Sequence, residues 1–170
     1  MKLRIALVIL VCFALAIVES VVPFILHFRS ARADLLLVVV LYLALHDDVM
    51  EGAALSAVAG YLTDLTSAAP AFLYTFLAVL TFVVLRLGGS ALKTEGGLQS
   101  AAVAFGASLI HSVIGAMVFG GFTGAGFSLQ PGPVLASAVG TALAAPVVFF
   151  ILSRLDSVFL SESASVGRLR

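Results

Sequence analysis

The sequence predicts an all-α polytopic membrane protein: one integral membrane domain over residues 1–170, with about six transmembrane helices in a compact bundle. Three observations lead there. Hydrophobic residues make up 62% of the chain and charged ones 11%, with a mean hydropathy of +1.21, whereas a soluble domain is nearer half apolar. The apolar residues come in runs divided by short polar or glycine-bearing breaks. At about 20 residues per crossing, the chain holds roughly five or six crossings and almost nothing outside the bilayer. Small residues also recur at every fourth position in two of the runs, a pattern that lets membrane helices approach closely.

The first predicted span, 5–28, follows Lys2 and Arg4 and is too long for a signal-peptide core. Glu19 lies fifteen residues beyond Arg4, roughly 22 Å along a helix, which brings it toward the far interface. Pro23 eases the chain out of the helix. His27, Arg29, Arg32 and Asp34 form the first loop, where Glu19, Asp34 and Asp64 reach the same level as the two arginines; local ion pairing among Glu19, Arg29, Arg32 and Asp34 is expected.

The second and third spans, 35–45 and 52–65, are short. Eleven residues make about 16 Å of helix against a hydrocarbon core of about 30 Å. The pair is two short tilted spans or a re-entrant hairpin. Its tip, His46 to Glu51, carries Asp47, Asp48 and Glu51. Each carboxylate left in lipid would cost about 2.5–3.5 kcal/mol, so the tip is expected to reach the opposite water phase with local thinning of the bilayer.

Ser67 to Pro70 reads as a tight turn before a fourth span, 71–87. A polar loop through Lys93 and Glu95 leads to a fifth span, 98–119, with His111 near its middle. Gly120 to Pro133 reads as an uncharged, glycine-rich outer loop, 134–152 as the sixth span, and Arg154 to Arg170 as a frayed polar tail. With the N-terminus and C-terminus cytoplasmic, the inside holds Lys2, Arg4, Arg86, Lys93, Arg154, Arg168 and Arg170, and the outside only Arg29 and Arg32.

Gly52, Ser56, Gly60 and Asp64 stand four residues apart on one helix face, and Ala136, Gly140 and Ala144, followed by Pro146, repeat the pattern in the last span. These eight residues are candidates for packing within the bundle or against a partner's helix. Pro146 also frees a carbonyl for a neighbour to satisfy. No catalytic, cofactor or metal site is expected. Cys12 is alone, which excludes an internal disulfide. Asp64 lacks a second acid at its depth; it is read as structural, pairing with Arg29 or Arg32 or accepting backbone N–H groups from the turn that follows. His111 is read as hydrogen-bonded to a neighbouring helix. Membrane lipid is the general partner, and the scattered basic residues give no reason to expect nucleic acid.

Three stretches carry a resemblance to a known family. Arg32-Ala33-Asp34, opening the aliphatic run that ends Leu41-Tyr42-Leu43-Ala44-Leu45, resembles the Arg-Pro-polar entry to a short span in the rod shape-determining protein MreD family. Ser56-Ala57-Val58-Ala59-Gly60-Tyr61-Leu62-Thr63-Asp64-Leu65 is similar to that family's Gly-x-x-x-Gly-x-x-x-Asp-Leu, and Pro146 to Leu155 to its proline, apolar run and basic stop. Ala33 stands where proline is usual and Ser56 where glycine is.

The resemblance implies a non-enzymatic subunit of the bacterial inner membrane that binds MreC, and through it acts with MreB, RodA and a penicillin-binding transpeptidase in cell elongation and peptidoglycan synthesis. It also implies a fold resembling the substrate-binding subunits of energy-coupling-factor transporters. A vitamin-type transport subunit is the alternative reading.

Overall fold

In a computed structural model the protein is described at residues 2–26, 33–67, 70, 72–88, 96–123 and 131–167, and these residues form helices, turns and short connections without a strand. Among the described residues six helices follow one another: α1 (Lys2–Leu26), α2 (Leu35–His46), α3 (Val49–Thr66), α4 (Leu73–Gly88), α5 (Gly97–Thr123) and α6 (Pro131–Gly167). Three contain stretches long and apolar enough to cross a membrane, Arg4–Val21, Gly97–Gly121 and Pro131–Ser157. Lipid leaves backbone polar groups no outside partner, so these sequences close their hydrogen bonds within helices.

The bundle is built around α2. Its aliphatic run is apolar on every side, which suits a protein core as well as lipid. Every residue from Leu36 to Ala44 is buried, and α2 touches all five other helices. Asp34 starts it: one carboxylate oxygen accepts the Leu37 N–H at 2.8 Å, and the Asp34 N–H donates to Thr141 Oγ1 on α6 at 2.9 Å. Arg86 of α4 donates to the Ala44 carbonyl at 3.0 Å, supplying a cation and a donor where the last turn has carbonyls to spare.

Several elements differ from expectation. The third helix is not short: it has 18 residues, about 27 Å, because Val49, Met50 and Glu51 join its first turn. α1 continues past Pro23 to Leu26. Gly120 and Gly121 belong to α5 rather than to a loop, while Gly124 and Gly126 lie outside the described residues. The tail that was expected to fray is helical to Gly167.

The small-residue face of α3 is occupied from within. A Cβ built on Gly60 would stand 2.6 Å from Thr75 Cα and from the Tyr74 carbonyl oxygen of α4, and one on Gly52 would stand 2.6 Å from the Phe82 ring. Ser56 between them is fully buried. That face therefore has no room for a partner's helix while α4 is in place. In α6 the buried line is Ala138, Thr141, Ala145, Val148 and Leu152, one step round from the expected Ala136, Gly140 and Ala144. Ala136 and Ala144 are half-buried; Gly140 lies under Ala33, and Pro146 lies near Gly97 of α5.

Candidate functional site

Polar side chains gather at two levels of the bundle. The first lies at the end that holds the start of α1, the α2–α3 turn and the far part of α6. Arg4 donates from Nε to Asp156 at 2.7 Å, from one terminal nitrogen to Asp47, and from the other to Glu51 at 3.4 Å. Tyr42 donates its hydroxyl to the second Asp156 oxygen at 2.6 Å, and its ring stacks on His46 at 4.3 Å and meets Phe149 edge-on at 5.2 Å. The planar guanidinium, with five donors, joins three helices and a turn that lie far apart in sequence. Only 1% of the Asp47 side chain is exposed. Of the tip acids expected in water, then, Asp47 is buried and bonded to Arg4, while Asp48 is exposed.

The second level is set by the short length of α2. Its 12 residues span about 18 Å, so its N-terminus stops beside His111, midway along α5. Asp34 Oδ2 stands 3.7 Å from His111 Nε2, and Thr81 Oγ1 of α4 lies 3.0 Å from His111 Nδ1. Beyond that point the axis of the bundle is not filled by α2. A cavity of about 240 Å³ opens there, lined by Glu19 and Ser20 of α1, Asp34, Thr63, Thr66 and Ser67 of the α3 end, Tyr74 of α4 and Ser137 of α6. Every one of these side chains is polar, an unusual lining inside a chain of this hydropathy.

Asp64 stands at the same end. Its oxygens accept the Tyr74 N–H and the Thr75 N–H, both at 2.9 Å, and the Thr75 hydroxyl at 2.6 Å. The acid at the end of α3 thus caps the start of α4, where backbone N–H groups lack partners and a negative charge is favoured. These are its partners among the described residues; Arg29 and Arg32, also expected to pair with it, lie outside them.

Of the expected ion-pairing group, Arg29 and Arg32 lie outside the described residues. Glu19 and Asp34 meet at the cavity, where Asp34 is committed to the α2 start and faces His111. Arg4, Tyr42 and Asp156 were not legible as a site. Arg4 and Asp156 stand 152 residues apart, and no local spacing connects them. The cavity did leave a trace: a span too short to cross the bilayer, followed by the hydroxyl-bearing stretch Thr63 to Ser67.

Among known families, the model of the rod shape-determining protein MreD matches residues 1–155 of this chain. No curated protein and no solved structure matches it.

Proposed function

The chain belongs to the family of the rod shape-determining protein MreD, and on that footing we propose that it is a non-catalytic inner-membrane scaffold of the bacterial cell-elongation complex. In this reading it binds MreC, and through MreC supports MreB, RodA and a penicillin-binding transpeptidase in peptidoglycan synthesis. The observation that favours a scaffold over a hydrolase is the use of Asp64. An acid that accepts three hydrogen bonds from Tyr74 and Thr75 holds a helix in place, and a catalytic carboxylate has to keep an oxygen for its substrate.

The cavity between Glu19, Asp34 and Ser137 supports a place for the partner. A segment of MreC emerging from the membrane carries backbone N–H and C=O groups that lipid cannot satisfy and a hydroxyl-lined recess can. The charge distribution of the loops orients this recess outward and the Arg4 cluster toward the cytoplasm.

Among the described residues Thr66 bonds to carbonyls of its own helix, and it lines the cavity, so Thr66→Trp fills the recess at little cost to the fold. The variant should melt like the wild type in detergent yet lose MreC in native-extract pull-downs. If wild-type protein, gently solubilised, carries no single-pass companion, the scaffold reading is wrong. The same polar recess favours, as second reading, a subunit that binds a vitamin-sized solute. Native mass spectrometry separates the two, since a bound small molecule displaced by Thr66→Trp would put transport first.

A further inference from the structure

Where the recess narrows past Asp34, we propose that a water molecule binds between Asp34 and His111 and places this imidazole, midway along α5, in contact with the outer aqueous phase. The inference rests on the outward recess of the preceding reading but not on what occupies it.

The polar space does not end at Asp34. A second, smaller cavity of about 20 Å³ adjoins the recess, and Asp34, Thr63 and Tyr74 line both, which puts the two along one path. His111 lines only the inner one. A single water needs about 10–15 Å³ and two to four polar partners. The inner cavity has that room, with a carboxylate, an imidazole and the threonine and tyrosine side chains around it.

The bonding of the imidazole leaves a place for the water. Oδ1 of Asp34 accepts the Leu37 N–H, and Oδ2 faces His111 Nε2 across 3.7 Å, too far for a direct hydrogen bond. Nδ1 of His111 is engaged by the Thr81 hydroxyl at 3.0 Å. A hydroxyl donates or accepts, so Thr81 suits either tautomer, and the neutral ring then presents an N–H or a lone pair at Nε2. Water answers either one and donates a remaining proton to the carboxylate. With the His111 side chain only 13% exposed, a ring nitrogen without that bridge would be costly to bury. Of the titratable groups, Asp34 faces the ring, and Glu19 of α1 and Tyr74 of α4 line the approach. Deeper in the bundle, the aliphatic residues Leu35 to Leu41 separate Asp34 from Tyr42, and Leu36 to Leu41 are buried. Water and protons therefore reach His111 from the recess, and α2 offers no group to pass them on.

Solid-state nuclear magnetic resonance on the protein alone, carrying isotope-labelled histidine in lipid bilayers, reads this contact directly. His111→Gln identifies the His111 ring signals by their loss. In the wild type, polarisation should pass from water to the His111 ring. The Thr63 hydroxyl bonds to the Ala59 carbonyl of its own helix, so Thr63→Leu fills the neck between the cavities with little harm to the fold and should cut this transfer about threefold or more. The His46 ring signals, at the far end of α2, report whether the fold is kept. Thr63→Met, with a more adaptable side chain, takes the place of Thr63→Leu if they are lost. A wild-type His111 ring that receives no polarisation from water would overturn the proposal. So would transfer that the folded Thr63 variant leaves unchanged. Neither result involves MreC, whose absence from pull-downs would overturn the scaffold alone.

Discussion

Asp64 does for α4 what a serine or threonine commonly does for its own helix, but it does so from the end of α3, so one side chain fixes both the start of a helix and its position against a neighbour. Asp64→Ala removes three hydrogen bonds and leaves two backbone donors without a partner. It should cost about 2–4 kcal/mol in reversible unfolding from detergent micelles, and Asp64→Asn less, because an amide keeps one acceptor. Ser56 predicts the opposite sign. Its buried hydroxyl has no hydrogen-bond partner, so Ser56→Ala should leave stability unchanged or raise it by about 1 kcal/mol in the same assay. At the other end of the bundle, Arg4→Ala would remove the cation that Asp47, Glu51 and Asp156 share. Partial exposure of Arg4 moderates the loss to about 2–4 kcal/mol. Arg4→Lys should recover only part of it, since an ammonium cannot reproduce the planar fork.

Among the elements, α2 and the α3–α4 seam determine how tightly the bundle closes. Lipid gives no hydrophobic drive for helices to associate, so close backbone contact matters more than apolar area. Gly60 lies against α4 backbone and Gly52 against the edge of the Phe82 ring. The two glycines should therefore differ. Gly60→Ala needs α4 to move and should destabilise by about 1–3 kcal/mol, whereas at Gly52 the ring can turn and the loss should be smaller. Gly106 of α5 has open space where a Cβ would go, so Gly106→Ala serves as the control that should melt no lower than the wild type. Equal melting of Gly60→Ala and Gly106→Ala would show that the seam is looser than drawn. The four-residue spacing of Gly52, Ser56 and Gly60 marked a small-residue face in the sequence. What lies across it was not legible, because any helix with a complementary face would have matched.

For the whole molecule, the decisive feature is a central helix shorter than its surroundings. α2 has 12 residues and α5 has 27, and the difference appears as a cavity at one end of the axis. Polar residues from α1, α3, α4 and α6 that read as unrelated loop or helix positions become neighbours there. Filling that space with Thr66→Trp should uncouple partner binding from folding, while the Arg4 variants should lower both together; pull-down and thermal melting on the same preparations distinguish the two patterns.

The sequence alone determined the membrane character of the chain, the helical class and the family, because hydropathy and short-range spacing are local quantities that a bilayer reads directly. Only the tertiary structure decided that α3 closes on α4, that Arg4 meets Asp47 and Asp156, and that the space above α2 is open. Those contacts join residues up to 152 positions apart, and nothing in a local pattern encodes which distant groups a fold will bring within a hydrogen bond of each other.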